Sequence, residues 1–402
     1  MKNYIDTLLK LPFPVKWFLI TEGLFGLGFG VWNVNLNFHM QSMGMSDASI
    51  GILLAINTFV TAGISVFTGD LSDRVGFYHS MIYGCIIKGI GMLIVAFSSS
   101  FSTFAIALAL MAIGDALVLS CEFPFLFSFT PEEHKQTIYS LLIAFFMLSM
   151  MIGNAVGGFL AELRILPKEP YMFPIIISGL IFIVLGWGRR ILPRKEIERR
   201  EKARFFYHLI KERNIQWFLV YSVVAGFILN LVLSMINIIL KKKFGLGDSV
   251  IGLTFSAVTF VGFLSGFLAP MLIRRFGNER TVVFALFGYS LFLGLMGISG
   301  LALFVCFWVG YTFSRLIVPP AVESRILNSI PPEEQGSFSG LRIFASNIGC
   351  GIGSYLAGVL VSRDRITDLF LIASAFVLVQ LGIYWFGCRR YLKEDQYRSA
   401  DA

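Results

Sequence analysis

The sequence predicts an all-α integral membrane protein with twelve transmembrane helices, arranged as two six-helix bundles that repeat in parallel. Three observations support this prediction: the composition, the length of the apolar stretches and an internal repeat. Of the 402 residues, 56% are hydrophobic and only 14% are charged, whereas a soluble domain carries about 25% charged residues. The chain therefore lacks the charged residues that a water-facing surface would require over its whole length.

Each apolar stretch is long enough to cross the hydrocarbon core as a helix, which takes about 20 residues. The stretches are continuous, whereas the strands of a membrane β-barrel alternate over about ten residues, so a barrel is excluded. The first stretch exceeds the apolar region of a signal peptide and lacks a small-residue cleavage site, so we expect a mature helix. The predicted spans are 17–41, 48–70, 80–98, 102–128, 137–161, 171–190, 215–240, 248–273, 281–298, 301–328, 338–361 and 368–388.

The basic residues indicate the orientation in the membrane. Twelve is an even number, so both termini lie on one side, and most of the 33 Lys and Arg residues lie on that side too. Because cytoplasmic loops carry the excess of Lys and Arg, we expect a cell-membrane protein with both termini in the cytoplasm. The net charge of +8 follows this loop pattern and does not indicate nucleic-acid binding.

The longest polar stretch, which contains "RKEIERREKARFF", divides the chain into two halves. A solvated linker is the simplest interpretation of this charge run. The expected parts are a cytoplasmic N-terminal segment (1–16), a first six-helix bundle (17–190), a cytoplasmic linker (191–213), a second six-helix bundle (214–388) and a cytoplasmic tail (389–402).

The two halves repeat at an offset of about 200 residues. The segment "SDASIGILL" from Ser46 matches "GDSVIGLTF" from Gly247, and "IGNAVGGFL" from Ile152 matches "IGSYLAGVL" from Ile352. Six spans in each half give both halves the same orientation. Parallel repeats of this kind occur in secondary transporters, whose substrate site lies near the bilayer midplane between the halves.

The loop after the second span carries the motif "GDLSDRVG". Its residues Gly69, Asp73, Arg74 and Gly76 match the G-x-x-x-D-R-x-G motif of the major facilitator superfamily (MFS), and the chain resembles this family over nearly its whole length. The two basic residues that usually follow the motif are absent. The resemblance implies the MFS fold, transport by alternating access and a cytoplasmic gate at this loop.

Within that family, the chain is most similar in pattern to the 12-helix drug and proton antiporters. Their fifth-span pattern G-P-x-x-G-G reads here "GNAVGG" from Gly153, with Asn154 in place of proline. The arginine of their fourth span, which would fall near Leu110, is missing. This partial similarity implies an exporter, with the proton as the coupling ion.

Ionisable residues inside the spans are the candidates for chemistry, because a charge at a helix centre costs roughly 2.5 to 3.5 kcal/mol. Asp115 and Arg315 occupy equivalent midpoints of the fourth and tenth spans, so we expect them to form a coupled pair. Glu22, Asp115 and Glu122 are the candidate proton-coupling carboxylates, and a place in the cytoplasmic gate is the alternative for Glu122. Lys88 is interpreted as a structural pair or as a side chain that snorkels to the interface.

Polar residues near the span ends complete the candidate site. Asn33 and Asn37 share one face of the first span and are candidates for lining the outer cavity, with hydrogen bonds between helices as the alternative. Glu323, the repeat mate of Glu122, is assigned to the cytoplasmic gate together with Arg325.

These residues together predict a secondary active transporter and not an enzyme. The five cysteines lie too far apart for a disulfide framework, and no metal site and no cofactor are expected. We expect a small amphipathic organic solute that is exported by proton coupling, contact with membrane lipids, no nucleic acid and a monomeric chain. The alternatives are proton-coupled or facilitative uptake of a metabolite, and a membrane-embedded receptor or lipid-processing enzyme.

Overall fold

The computed structural model describes residues 11–65, 76–130, 134–194, 210–328, 330 and 335–389. Within these ranges the regular structure is helical, and twelve helical segments are long and apolar enough to cross a membrane. The predicted all-α class with twelve membrane-spanning helices is therefore confirmed.

Among the described residues, the first half of the chain has six α-helices whose bounds agree with the predicted spans to within a few residues. They are α1 (Phe13–Ser42), α2 (Asp47–Ser65), α3 (Phe77–Ala96), α4 (Phe101–Ser128), α5 (Lys135–Glu162) and α6 (Met172–Gly188). Helix α1 begins four residues before its predicted start, and its first turn contains Pro14. Proline is tolerated there because the first turn of a helix has no partner for its N–H groups.

The described part of the second half has seven α-helices, because its first span is broken into two. They are α7 (Arg213–Leu233), α8 (Ile236–Phe244), α9 (Asp248–Phe276), α10 (Asn278–Ile298), α11 (Leu301–Asn328), α12 (Gln335–Ser362) and α13 (Ile366–Ile383). The break lies at Ser234 and Met235, where Met235 adopts φ −119° and ψ 8°. The sequence predicts one continuous helix over 215–240, since neither proline nor glycine marks this break.

Contacts divide the chain into two compact units. The first unit comprises 1–44, 67–202 and 247–259, and the second comprises 45–66, 203–246 and 260–402. Helix α2, from the first half of the sequence, therefore packs within the second unit. The N-terminal part of α9, from the second half, packs within the first unit.

Pairs of glycines allow these two helices to pack closely in their units. In the second unit, a Cβ atom on Gly51 of α2 would lie 2.7 Å from the Cα of Gly358 of α12. In the first unit, a Cβ atom on Gly252 of α9 would lie 3.0 Å from the Cα of Gly158 of α5. Small residues of this kind let helix backbones approach in membranes. Because Gly51 and Gly252 are repeat mates, each unit contains the same kind of crossing.

A third glycine contact, between α3 and α4, positions charged residues of the first unit. A Cβ atom on Gly84 would lie 2.8 Å from the carbonyl oxygen of Gly114, and one on Gly114 would lie 2.7 Å from the backbone nitrogen of Lys88. Asp115 follows Gly114 directly. The close approach of the two backbones therefore places Asp115 beside Lys88.

Candidate functional site

The first unit contains a buried cluster of two glutamates around one arginine. Arg189 begins the 3-10 turn Arg189–Ile191 that follows α6, and its side chain is fully buried. Its Nη2 atom donates hydrogen bonds to Oε2 of Glu22 (2.9 Å) and to Oε1 of Glu122 (3.0 Å). The two glutamates are only 4% and 6% exposed. Helices α1 and α4 therefore share one cation supplied by the end of α6.

Packing around the end of α6 directs Arg189 into the unit. One turn earlier, Gly186 allows α6 to approach α3, since a Cβ atom there would lie 2.6 Å from the side chain of Ile86. The indole N–H of Trp17 donates to the carbonyl oxygen of Gly188 (2.8 Å). The guanidinium carbon of Arg189 lies 4.8 Å from the ring centroid of Phe18. These contacts fix both the backbone and the side chain at the end of α6.

The charges of the cluster do not balance when both glutamates are ionised. Arginine stays protonated in proteins, so Glu22, Glu122 and Arg189 together then carry one excess negative charge. An uncompensated charge in a protein interior is unfavourable. A single proton on one of the two carboxylates would remove this excess. The nearby Cys85 accepts a weak hydrogen bond from Nη1 of Arg189 (3.6 Å).

A second ion pair, between a buried lysine and a partly exposed aspartate, connects α3 and α4 in the same unit. The Nζ atom of Lys88 lies 2.5 Å from Oδ1 of Asp115. The same ammonium group lies over the rings of Phe25, Phe29 and Phe182, at 4.7, 5.2 and 4.5 Å from their centroids. Aromatic faces attract cations, so Lys88 is stabilised by both charge and rings. The structural pair predicted for Lys88 is present, and the lysine does not need to reach the interface.

Asp115 has a partner within its own unit: its carboxylate is bound by Lys88, because the glycine contact of α3 with α4 brings them together. The coupling of Asp115 with Arg315 that the sequence predicts stays a prediction. Arg315 belongs to the second unit and forms no ion pair with a residue that the structure describes. Its guanidinium carbon lies 5.9 Å from the ring centroid of Tyr311.

The polar residues of α1 lie in different surroundings. Asn35 is fully buried, and its Nδ2 atom donates to the carbonyl oxygens of Val31 (2.8 Å) and Gly157 of α5 (3.1 Å). Asn35, which is not among the predicted site residues, therefore makes a hydrogen bond between α1 and α5. Asn37 is buried and Asn33 is partly exposed, and their role in a cavity stays a prediction.

The predicted gate falls only partly within the described residues. Gly69, Asp73 and Arg74 lie outside them. Gly76 precedes α3 with φ +85°, and its repeat mate Gly277 precedes α10 with φ +80°. Glycine adopts this left-handed conformation without the strain that a side chain would cause. The repeated glycine therefore serves the same turn at the start of α3 and of α10.

The second part of the predicted gate contains an ion pair with a different partner. Oε1 of Glu323 accepts a hydrogen bond from Nη1 of Arg342 on α12 (3.1 Å). Arg325, the partner that the sequence predicts, lies on α11, and its side chain is outside the described part of the structure. Glu323 of α11 therefore pairs with an arginine of α12.

Comparisons with known proteins agree with this architecture. The sequence model of the Major Facilitator Superfamily matches residues 18–354. The multidrug resistance protein MdtH of Yersinia enterocolitica is 22% identical over 392 residues, which cover 93% of this chain and 95% of that protein. Its namesake in Yersinia pestis (strain Pestoides F) is 21% identical over 401 residues, covering 96% and 97%.

Solved structures share the fold at lower identity. A bacterial homologue of the human lysosomal transporter Spinster superimposes with a TM-score of 0.80 at 14% identity, covering 94% of this chain and 97% of that one. The nucleoside transporter NupG gives a TM-score of 0.77 at 13% identity, covering 93% and 99%. At these identities the likeness concerns the fold alone.

Proposed function

Because the chain belongs to the Major Facilitator Superfamily of membrane transporters, we propose that it exports small amphipathic organic solutes in exchange for protons. The chain is a multi-pass membrane transporter and not an enzyme. The proposed proton site is the cluster of Glu22, Glu122 and Arg189. One observation carries this assignment: two buried carboxylates share a single buried cation.

The geometry of the cluster suggests how proton binding changes the unit. With both glutamates ionised, Arg189 attracts α1 through Glu22 and α4 through Glu122. A proton on either carboxylate removes the charge–charge attraction from one of these hydrogen bonds and so weakens it. The protonated cluster therefore holds the three helices together less tightly. We assign this loosening to the step that couples the proton to alternating access.

Two observations that do not involve the proton site support export and an amphipathic solute. The chain is 15% aromatic, and the second unit buries large aromatic side chains such as Trp308, Tyr311 and Tyr289. The two relatives from Yersinia are named multidrug resistance proteins. These features favour an organic solute with an aromatic part, moved outward. Uptake is the alternative, and the direction of proton-driven flux decides between them.

We also propose a location, lipid contacts, a gate and an oligomeric state for this transporter. We place the transporter in the cell membrane with both termini in the cytoplasm, on the basis of its basic loops. Exposed apolar side chains such as Phe284, Ile298 and Phe386 favour direct contact with lipid tails. We assign the cytoplasmic gate to Asp73 in its loop and to the pair of Glu323 with Arg342. The expected functional state is a monomer.

Flux measurements in proteoliposomes test the proposal. Three probes share one naphthalene ring: naphthalene-2-sulfonate, naphthalene-2-sulfonamide and a quaternary naphthylmethylammonium. An imposed pH gradient should drive at least one of them against its concentration gradient. Glu22→Gln and Glu122→Gln should each abolish this dependence on the gradient, because an amide has no proton to exchange.

Glu212→Gln is the matched control, since Glu212 is exposed and directly precedes α7. Its flux should match that of the natural protein. Gradient-driven flux that persists in both Glu22→Gln and Glu122→Gln would exclude the cluster as the proton site.

A further inference from the structure

The second unit contains a cation inside a membrane-spanning helix that has no counterion among the residues that the structure describes. Arg315 lies near the middle of α11, and its side chain is partly buried. Lys88 and Arg189 each bind a carboxylate. Arg315, by contrast, forms no ion pair with any residue within the described ranges. A charge at this depth is unfavourable unless it is paired or hydrated.

Buried polar aromatic side chains lie next to this cation. Tyr311 is fully buried one turn before Arg315, and the ring of Tyr289 on α10 lies 5.1 Å from the ring of Tyr311, centroid to centroid. The Nε atom of Arg315 and the hydroxyl of Tyr311 are both buried and make no hydrogen bond to the described residues. Two hydrogen-bond donors are therefore unsatisfied beside an unpaired positive charge.

Such an arrangement matches one kind of ligand. A buried donor that lacks an acceptor is unfavourable, and both donors here would be satisfied by the oxygens of an anion. The guanidinium group binds planar or forked oxyanions through parallel N–H bonds. Tyrosine rings pack well against another aromatic ring. A ligand with an anionic group and an aromatic part satisfies all three features.

We propose that Arg315 and Tyr311 bind the anionic group of the transported solute, so that the substrates are aromatic organic anions such as sulfonates or carboxylates. This inference rests on the proposed function in taking the chain as a transporter of organic solutes. It does not depend on the proton site, which uses residues of the other unit. The anionic group of the solute would then pair with Arg315, whereas Asp115 pairs with Lys88.

Binding to the purified full-length protein tests the inference. The probes are naphthalene-2-sulfonate, its neutral sulfonamide and the quaternary naphthylmethylammonium, and the readout is the dissociation constant from ligand-dependent thermal unfolding. The sulfonate should bind most tightly. Arg315→Gln should weaken sulfonate binding about tenfold or more, since a hydrogen bond to a charged group is lost. Arg315→Lys should weaken it less, because the charge remains.

Arg365→Gln is the matched control, because Arg365 lies exposed in the same unit and pairs only with Asp368 nearby in sequence. It should leave sulfonate binding unchanged. Tyr311→Phe should weaken binding of the sulfonate while the packing of the ring persists. If Arg315→Gln does not fold, the ranking of the three probes on the natural protein still decides, because it requires no variant.

Two outcomes overturn the inference: the quaternary ammonium binds as tightly as the sulfonate, or Arg315→Gln leaves sulfonate binding unchanged. The test also separates the two proposals. Sulfonate binding through Arg315 without gradient-driven flux supports this inference and contradicts the proton-coupled exporter. Gradient-driven flux of the ammonium probe, without sulfonate binding, overturns this inference alone.

Discussion

Arg189 and Arg389 lie at equivalent positions of the two halves, directly after α6 and near the end of the last span, and each binds a glutamate of its own unit. The Nη2 atom of Arg389 lies 2.9 Å from Oε2 of Glu279. The side chain of Arg189 is 0% exposed, whereas that of Arg389 is 24% exposed. The repeat therefore conserves the placement of the arginine and changes its surroundings, which makes Arg389 a matched control for Arg189.

Arg189→Gln should destabilise the folded protein strongly. It leaves two buried carboxylates without their cation, and breaking a buried ion pair in this way costs about 3 to 5 kcal/mol. Arg389→Gln should cost about 1 kcal/mol or less, because the exposed pair is screened by solvent. Thermal unfolding in detergent measures the difference. Equal losses in the two variants would contradict the buried cluster.

Glu22→Gln should fold almost as well as the natural protein, within about 1 kcal/mol. The amide still fits the site, and the remaining pair of Glu122 with Arg189 is then balanced in charge. Glu22→Lys should fail to accumulate in the membrane, because it places a second cation next to Arg189. Expression and unfolding temperature of the two variants provide the measurement. Poor folding of Glu22→Gln would mean that both carboxylates are needed for stability.

Lys88 and Asp115 should be energetically coupled. A double-mutant cycle with Lys88→Met and Asp115→Asn should give a coupling energy above about 1 kcal/mol, since the two side chains are in direct contact. The same cycle with Asp115→Asn and Arg315→Gln should give less than about 0.5 kcal/mol, as expected for sites without a shared partner. The reverse ranking would restore the pair that the sequence predicts.

Gly51→Ala should separate α2 from α12. Its Cβ atom would lie 2.7 Å from backbone atoms of Gly358 and Ser354, and overpacking of this kind costs about 1 to 3 kcal/mol. Gly63→Ala on the same helix is the control, because a Cβ atom there meets nothing within 4 Å. Unfolding temperature should fall for the first variant only. A similar fall for Gly63→Ala would show that the crossing is not the cause.

The fold was predictable because the apolar stretches and the repeat are strong signals along the chain. The break in the seventh span was not predictable, because neither proline nor glycine stands at Ser234 and Met235. The sequence also did not predict that α2 packs within the second unit. This packing depends on the contact of Gly51 with Gly358, and such a contact leaves no mark in either segment alone.

The candidate site was predictable only in part. Glu22, Glu122 and Asp115 stand out as acidic residues within apolar spans. Arg189 does not, because it begins a basic stretch that the distribution of loop charges assigns to the cytoplasm. Its neighbour Arg190 is exposed, and its guanidinium carbon lies 4.2 Å from the ring centroid of Trp187. A signal was present nevertheless: no lysine or arginine within the predicted spans of the first half lies at the same depth as Glu22 and Glu122.

On the proposed proton assignment, the odd number of charges around Arg189 would also make the first unit sensitive to membrane voltage. With both glutamates ionised the cluster is negative by one charge, and with one proton bound it is neutral. Moving one elementary charge across the whole membrane corresponds to about 2.3 kcal/mol per 100 mV. Voltage therefore acts on the deprotonated cluster and not on the protonated one. An electrical potential imposed without any pH gradient should shift the balance between these two forms of the unit.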